Sequence, residues 1–387
     1  MKKKILIGAI ALCTAFLVTA CATPAPPTVE APPAAPAQTA PATPTPTPTP
    51  AAPEAAAQND IPETSVIRWN WGTSGNVLVT IAEERGYFAE YGLSIENVQA
   101  TAIADTMTLL IGNQVDIVSN SGTAGPLQRI AAGVDLVSFG GHMVTGAMPV
   151  IVSSDSEFVN ATGVEYIIGT RFAARPSFFA FTGAIMDLGY DPMEDVEWVV
   201  HPSYPDAVAA LLRGDVDFAL LGTGQNYMVR NQLADDVTIV FYHSTVMPNY
   251  SCCRLVANRE FVENNPVTIR LMFQALIRAQ HWFENNREEA VQLQVERMGV
   301  TEEFVSSFML HYRYVLSLDP LKNATVRAWN ILDATGFLDE EAANIDILDH
   351  INISIFEEAM EIVIERYGDT DPEFFNGLRT FFEEQNR

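Results

Sequence analysis

The chain has 387 residues, and its 48 Asp and Glu side chains outnumber 22 Lys and Arg, for a formal net charge of −26. This charge argues against a nucleic-acid partner, because phosphate backbones are bound by dense positive charge. The six His residues are widely scattered along the chain, so we expect neither a metal site nor a cofactor.

The N-terminus is typical of a bacterial lipoprotein signal. Three lysines at 2–4 precede an apolar run, 5–18, which is too short to remain as a membrane-spanning helix. The segment Leu-Val-Thr-Ala-Cys at 17–21 resembles a lipobox, and the resemblance implies cleavage after residue 20 and lipid attachment at Cys21. An ordinary signal peptide with an incidental cysteine is the alternative. We therefore predict a signal peptide at 1–20 and a protein on the outer face of the cytoplasmic membrane, held there by its lipid anchor only.

Residues 21–60 form a predicted stalk. This segment contains 12 of the 23 prolines, separated mainly by Ala and Thr. Such a composition favours extended polyproline II, which at ~3.1 Å per residue reaches about 100 Å. The Thr-Pro repeats leave glycosylation of the stalk open.

The body, 61–387, is large enough for two lobes, and strands alternate with helices along it. Up to residue 153 we predict strand 66–71, helix 77–91, strand 93–98, helix 103–112, and strands 134–140 and 148–153. Strand 165–170, helix 176–188, strand 196–200, helix 204–212 and strand 237–243 follow. A helix from Pro266 to Glu284 then opens a helical region reaching Arg387, whose last helix starts at 371–372. This alternation predicts an α/β fold with mostly parallel sheets.

An internal repeat supports two similar lobes. Residues 109–122 and 211–224 share one pattern: a helix end, a Gly, a short apolar strand after Asp, and a small polar loop. Gly112 and Gly214 are predicted to take the left-handed conformation that ends a helix. We assign 61–145 to the first part of lobe 1, 146–246 to lobe 2, and 247–387 to the second part of lobe 1, which carries the C-terminal helices. Hinges are expected at 141–148 and 243–250.

The ligand site is predicted at the carboxyl ends of the strands, where polar loops and helix N-termini converge. Small polar residues there offer hydroxyl, amide and backbone contacts. The predicted ligand-binding residues are Trp71, Gly72, Thr73, Ser74, Asn76, Ser119, Asn120, Ser121, Gly122, Thr123, His142, Arg175, Ser177, Tyr204, Gly222, Thr223 and Gly224.

Each candidate also has a structural interpretation. Small polar residues after strands are ordinary turn chemistry. Trp71 forms either a pocket wall or, like Trp69, part of the core. Arg175 precedes a predicted helix start at Pro176, where it would make an anion site, unless it is a surface arginine paired with an acid. The adjacent Cys252 and Cys253 are either a buried apolar pair or a vicinal disulfide.

Several motifs in order resemble one group of ABC solute receptors, which carry nitrate, alkanesulfonates, taurine and pyrimidine precursors of thiamine. The motifs are the Gly-Tyr-Phe at 86–88 with Gly-Leu at 92–93, the turn at 112–116, the segment 131–135, and 258–261 leading to 265–266. The resemblance implies a type II periplasmic-binding fold with two chain crossovers and closure of the lobes around a ligand. It also implies an ABC permease and an ATPase as partners, and we expect a monomer.

The expected function is therefore capture of a small organic or oxyanionic ligand for an ABC importer, without enzyme activity. A ligand sensor for a membrane signalling protein is one alternative. A pyrimidine-synthase-like enzyme of the same fold is another, but 250–254 lacks the histidine and the further cysteines of the motif in those enzymes. Nitrate, sulfonates, taurine and pyrimidine-type precursors all remain possible ligands.

Overall fold

A computed structural model describes residues 60–70, 76–99 and 103–387, without the side chains of 103–105. The predicted signal peptide, the lipid attachment at Cys21 and the stalk up to residue 59 lie outside the described residues. So do four predicted ligand-binding residues, Trp71, Gly72, Thr73 and Ser74. Within the described part of the chain, no helix is both long enough and apolar enough to cross a membrane.

The described strands form two sheets, one of six strands and one of five. The strands are β1 Val66–Asn70, β2 Ser94–Asn97, β3 Ile117–Val118, β4 Leu136–Gly146, β5 Pro149–Ser153, β6 Arg171–Ala173, β7 Glu197–Trp198, β8 Phe218–Leu220, β9 Val237–Tyr242, β10 Cys253–Asn258 and β11 Tyr314–Leu316. The first sheet has the order β11-β4-β10-β3-β1-β2 and the second β7-β6-β8-β5-β9.

Helices surround both sheets. They are α1 Val77–Glu84, α2 Tyr87–Glu90, α3 Ile103–Ile111, α4 Ala124–Ala131, α5 Phe179–Asp187, α6 Tyr204–Leu212, α7 Asn226–Gln232, α8 His243–Val246, α9 Arg259–Asn264, α10 Pro266–Asn285, α11 Arg287–Met298, α12 Glu302–Met309, α13 Lys322–Ala334, α14 Ser354–Tyr367 and α15 Pro372–Asn386. Short 3-10 helices occupy Val164–Tyr166, Glu340–Asn344, Ile347–His350 and Gly368–Thr370. The core of the first sheet includes Trp69, which is fully buried as core, together with Phe139 and Phe273.

Each sheet combines parallel and antiparallel pairs, which corrects the expectation of mostly parallel sheets. The triplets β2-β1-β3 and β7-β6-β8 are parallel, whereas β4, β5, β9, β10 and β11 pair antiparallel. The chain passes from one sheet to the other between β4 and β5, and it returns between β9 and β10. Because the return path runs beside the outward path in the opposite direction, the crossing strands become antiparallel neighbours.

The internal repeat is present in the structure as two matching clusters of hydrogen bonds. Asp116 accepts from the backbone N–H of Arg68 (2.8 Å) and from its guanidinium (2.5 and 3.2 Å). Asp217 accepts from the backbone N–H of Arg171 (2.8 Å) and from its guanidinium (2.8 and 3.1 Å). Each arginine also donates to a backbone carbonyl in the turn just before its aspartate. Arg68 donates to Asn113 and Arg171 to Gly214, both at 2.9 Å. The prediction that both segments are one repeated unit is confirmed.

The turn that ends α3 differs in detail from the prediction. The left-handed position is occupied by Asn113 (φ 54°) rather than by Gly112, whereas Gly214 (φ 76°) takes it in the second repeat. Asn tolerates this region better than most residues with a side chain. Between its Gly and its Asp, the first repeat has one residue more than the second (112–116 against 214–217), so aligning the two glycines shifted the turn by one position.

Several boundaries also differ. The strand predicted at 165–170 is wrong, since Val164–Tyr166 is a 3-10 helix and the strand begins at Arg171. The helix predicted at 77–91 is broken at Gly86, whose φ of 72° cannot continue a helix. The C-terminal region contains one strand, β11, which pairs with β4. The predicted starts of α10 at Pro266 and α15 at Pro372 are confirmed.

Candidate functional site

The outward crossover is a tight turn held by a buried amide. Ala147 has φ 52°, and its carbonyl accepts a hydrogen bond from Asn226 Nδ2 (2.8 Å). The Asn226 Oδ1 accepts in turn from the Tyr242 hydroxyl (3.3 Å) at the end of β9. Asn226 thus joins both crossing strands to the start of α7. Asn226 is not among the predicted site residues, although its position directly after the Gly-Thr-Gly-Gln loop was a usable signal.

In the first sheet, the predicted residues Asn76 and Ser119 are brought together. Ser119 Oγ accepts from Trp69 Nε1 (3.1 Å) and lies 3.4 Å from Asn76 Nδ2. Asn76 also caps α1, because its Oδ1 accepts from the Val79 N–H (3.3 Å). All three side chains are buried. Trp69 and Asn76 therefore hold the first residue of the loop that follows β3.

That loop, 119–123, reaches the return crossover. Gly122 has φ 74°, and the Thr123 hydroxyl donates to the carbonyl of Ser251. Ser121 Oγ is buried and has no hydrogen-bond partner among the described residues. A buried hydroxyl without a partner costs free energy unless a ligand or water satisfies it. Ser121 therefore has a hydrogen-bonding group that a ligand would satisfy.

The matching loop of the second sheet, Gly222–Gly224, reaches the outward crossover. Thr223 lies against the Cα of Gly146, the last residue of β4, and leaves no room there for a Cβ. Gly224 has φ 85°, and a Cβ on it would come within 2.8 Å of the Phe304 ring of α12. The two loops of the internal repeat therefore flank the two crossovers, one loop at each.

Tyr204 covers Gly222. A Cβ added at Gly222 would lie 2.5–2.6 Å from the Tyr204 ring, so only glycine permits this contact. Tyr204 is the first residue of α6, and the N-cap Ser203 accepts from the Asp206 N–H (3.2 Å). Tyr204 is 38% exposed. Burial raises the pKa of the Tyr204 phenol, and the neighbouring Cys252 adds to this while Arg175 opposes it. Tyr204 thus lies near both the return crossover and a cation.

Other predicted residues are placed differently from the expectation. His142 is buried inside β4, and burial, followed by the nearby charge of Arg254, lowers its pKa to about 3. Its Nδ1 is buried and has no hydrogen-bond partner among the described residues. Arg175 is exposed, but α5 begins only at Phe179, so Arg175 does not flank a helix N-terminus as predicted. Ser177 is half-buried in the same connection.

Arg254 is a buried cation that the sequence analysis overlooked. It is 1% exposed, and it donates to the carbonyls of Asp319 (2.8 Å) and Met143 (3.0 Å). Burial lowers its pKa to about 10, although Asp319 opposes the shift. The signal was an arginine within the apolar run of β10. Its carbonyl partners lie in β4 and in the connection between β11 and α13, not in loops 119–123 and 222–224.

Two surface depressions lie apart from these loops. One, of about 290 Å³, is lined by residues that include Asn113, Asn258 and Asn265. The other, of about 300 Å³, is lined by residues that include Tyr87 and His281. Neither is lined by a predicted ligand-binding residue. We centre the candidate site on the loops at the crossovers because both repeated loops contact these segments.

Comparison with solved structures supports the fold. The periplasmic aliphatic sulphonate binding protein SsuA from Escherichia coli has a TM-score of 0.62 and 18% identity, covering 74% of this chain and 92% of its own. The periplasmic nitrate-binding protein NrtA from Synechocystis PCC 6803 has a TM-score of 0.61 and 15% identity, covering 78% and 90%. The desulfurization enzyme DSZB has a TM-score of 0.54 and 16% identity, covering 77% and 99%.

These similarities establish the two-lobed periplasmic-binding fold that the sequence predicts. No curated protein matches the sequence significantly. The model of the NMT1-like family matches residues 72–295, which is more than half of the chain and includes both repeated units and both crossovers. The chain therefore belongs to the NMT1-like family.

Proposed function

We propose that this chain is the extracytoplasmic solute-binding lipoprotein of an ABC importer. In this proposal, 61–145 with 247–387 forms lobe 1 and 146–246 forms lobe 2. The signal peptide at 1–20, lipid at Cys21 and the stalk keep the monomeric receptor at the outer face of the cytoplasmic membrane. A permease and an ATPase are its partners.

One observation carries the proposal: the two repeated loops meet the two crossovers. Thr123 bonds the carbonyl of Ser251 on the return path, and Thr223 packs on Gly146 on the outward path. A ligand that touches both loops would therefore also touch the segments about which two lobes hinge. Its different affinity for the open and closed arrangements would then shift the equilibrium toward closure. No bond is made or broken in this mechanism.

The groups around the loops favour a small ligand that accepts and donates hydrogen bonds. Ser121 supplies an unpartnered buried hydroxyl, Tyr204 supplies an exposed aromatic ring, and Arg175 supplies an exposed cation. A ring such as Tyr204 would stack on a flat heterocycle, and Arg175 would pair with a sulfonate, nitrate or carboxylate. The solved structures named for sulphonate and nitrate binding agree with the second class.

A thermal-shift series tests the proposal with nitrate, ethanesulfonate, taurine, riboflavin and a hydroxymethylpyrimidine. We expect one chemical class to raise the melting temperature of the full chain, because a ligand that binds only the folded state stabilises it. Tyr204→Ala should abolish most of that shift. Tyr190→Ala is the matched control, since Tyr190 is also about half exposed but is not among the predicted site residues. Equal losses in both variants would argue against the site.

An enzyme is the second candidate, because the desulfurization enzyme DSZB has a similar fold. A pyrimidine-synthase-like activity would require turnover. It is distinguished by incubating the protein with each panel compound and measuring product by mass spectrometry. The receptor proposal expects every compound to be recovered unchanged.

A sensor role would keep ligand binding but replace the permease with a membrane signalling protein, and co-purification with the permease separates these two.

A further inference from the structure

Two adjacent cysteines lie where the return crossover enters the first sheet. The Sγ atoms of Cys252 and Cys253 are 3.8 Å apart, and both are free thiols. Cys253 is 8% exposed, whereas Cys252 is half-buried and packs against hydrophobic clusters of both sheets. The pair therefore joins the two sheets and remains accessible through Cys252.

The backbone of this pair is bonded to the candidate site on both sides. The Cys252 N–H donates to the Val144 carbonyl of β4 (3.1 Å), and the preceding carbonyl of Ser251 accepts from Thr123. The backbone of Gly122 also bonds the sulfur of Cys253. The peptide between Ser251 and Cys252 is thus held by both of its polar groups, and the Cys253 sulfur is held by Gly122, so moving either cysteine would displace loop 119–123 or break its contacts.

The surroundings of the pair favour thiol chemistry. The hydrogen bond with Cys252, the charge of Arg254 and the N–H of Gly122 together lower the pKa of the Cys253 thiol, against the opposing effect of burial. A thiolate is the nucleophile in thiol–disulfide exchange, so a lowered pKa increases the reactive fraction at neutral pH. The same hydrogen bond, followed by burial, raises the pKa of the Cys252 thiol. Cys253 is therefore the thiolate of the pair, and Cys252, with its sulfur 3.8 Å away, stays protonated as the second thiol.

We propose that Cys252 and Cys253 are a redox-active dithiol that closes reversibly to a vicinal disulfide and thereby changes loop 119–123. The oxidant is a small disulfide. One cysteine thiolate attacks a sulfur of this disulfide and expels one small thiolate, leaving a mixed disulfide. The neighbouring cysteine then attacks the protein sulfur of the mixed disulfide and expels the second. The two cysteines are oxidised, the small disulfide is reduced to two thiols, and the two cysteine protons pass to them.

The geometry argues that this disulfide would be labile. A disulfide has an S–S bond of about 2.0 Å, so the two sulfur atoms must approach each other by roughly 1.8 Å. Because the two cysteines are adjacent, the disulfide would close a small ring through the peptide bond between them, and that approach of the sulfur atoms would strain both the ring and the peptide. Strained disulfides have more oxidising potentials and are the labile, regulatory ones. Disulfides persist outside the cytoplasm, so the physiological relevance of the switch rests on the proposed localisation.

Peptide mapping of the full chain tests disulfide formation. Trypsin places both cysteines in the peptide 231–254, whereas Cys13 and Cys21 fall in 5–68. The protein is treated with oxidised glutathione, then denatured and alkylated with iodoacetamide. We expect peptide 231–254 to lose two hydrogens and take up no alkyl group, and dithiothreitol to restore two alkylation sites. Alkylation of both cysteines at every glutathione ratio, a persistent glutathione adduct, or a disulfide between two chains would each overturn the proposal.

Hydrogen exchange then tests the effect on the loop. We expect oxidation to change exchange in 119–123 by about tenfold or more, a change equivalent to about 1.4 kcal/mol. Cys252→Ser and Cys253→Ser should each stay in the reduced pattern with oxidant present, and α15 should not change in any sample. Exchange in 119–123 that is identical in both redox states would overturn the coupling. The mapping needs no ligand, so its failure and the failure of the receptor proposal are separately observable.

Discussion

Thr223 lies against the Cα of Gly146, so a loop of the second sheet packs directly on the last residue of the strand that leaves the first sheet. This contact exists because position 146 has no side chain. Its counterpart is the hydrogen bond from Thr123 to the carbonyl of Ser251 on the return path. Both repeated loops are thus tied to the two segments that must move if the lobes close.

Gly146→Ala tests the first of these contacts. An added Cβ would clash with Thr223 Oγ1 and lie 2.9 Å from Met143 Sδ. We expect a loss of about 1–3 kcal/mol in the free energy of unfolding, as is usual for overpacking. Urea unfolding of the single variant and of Gly146→Ala with Thr223→Ala measures the coupling, because removing Oγ1 should restore much of the loss. Gly125→Ala in α4, where a Cβ meets nothing within 4 Å, is the control. Equal stability of Gly146→Ala and wild type would contradict the contact.

Gly222→Ala should weaken ligand binding by displacing the Tyr204 ring. The new Cβ would lie 2.5–2.6 Å from the ring, which can move because it is partly exposed. We expect the dissociation constant of the compound selected by thermal shift to rise about tenfold or more, measured by calorimetry. Gly377→Ala in α15 has open space at its Cβ and should bind normally. Unchanged affinity in Gly222→Ala would remove Tyr204 from the site.

The repeated ion pairs should contribute unequally to stability. Asp116 is 11% exposed at its side chain and Asp217 is 27% exposed, while both partner arginines are 39% exposed. We expect Asp116→Ala to cost about 1–2 kcal/mol and Asp217→Ala about 1 kcal/mol, since each removes bonds to a backbone N–H and a guanidinium. Asp215→Ala breaks a largely exposed pair with Arg213 and should change stability by about 0.5 kcal/mol or less. Chemical unfolding ranks the three variants, and the reverse order would be inconsistent with the structure.

The buried histidines should make stability fall in acid. Burial lowers the pKa of His142, helped by Arg254, and that of His243 to about 3 in the folded protein. Since the unfolded value is about 6.5, the folded state binds fewer protons than the unfolded state between these limits. The stability contributed by the neutral rings is therefore present above pH 6.5 and is lost as pH falls toward 3. Burial raises the pKa of Asp319 to about 6, against the opposing bonds from Asn386. Its contribution to stability therefore decreases as pH rises from 3.8 to 6, which is opposite to that of the histidines.

His243→Phe isolates one of these groups. The His243 ring lies between Phe181 and Tyr250, with centroids 6.5 and 4.2 Å away, and neither ring nitrogen has a partner among the described residues. A phenyl ring therefore suits the site. Relative to wild type, the variant should gain up to about 1.4 kcal/mol per pH unit below 6.5. Urea unfolding at pH 7.5, 5.5 and 4.5 measures this difference. A difference that does not change with pH would show that His243 does not titrate on unfolding.

The sequence predicted the fold to the extent that local patterns determine it. The repeat at 109–122 and 211–224 identified two matching units, and Asn-Pro and Asp-Pro pairs located the starts of α10 and α15. The left-handed residue was predicted at Gly112 but is Asn113, because one extra residue separates the glycine from the aspartate in the first repeat. Antiparallel pairing of the crossing strands depends on which strands become neighbours, and local periodicity carries no such information.

The candidate site was predicted only in part for a related reason. Ser121, Thr123, Tyr204 and Thr223 follow strands, and the structure gathers them near the crossovers. His142 also follows a glycine pair, but its side chain is buried in β4. The sequence does not show that both faces of this strand are covered. Asn226, Arg254 and the half-buried Cys252 act through partners distant in sequence. The lobe boundaries and the ligand contacts themselves stay predictions.

The crystal structure of the full chain with the compound that gives the largest thermal shift tests the central claim most directly. We predict electron density for the ligand between loops 119–123 and 222–224, within hydrogen-bond distance of Ser121 Oγ and against the Tyr204 ring. Density in the depression lined by Asn113 and Asn258, or contact with only one of the two loops, would contradict a receptor that closes on its ligand at the crossovers.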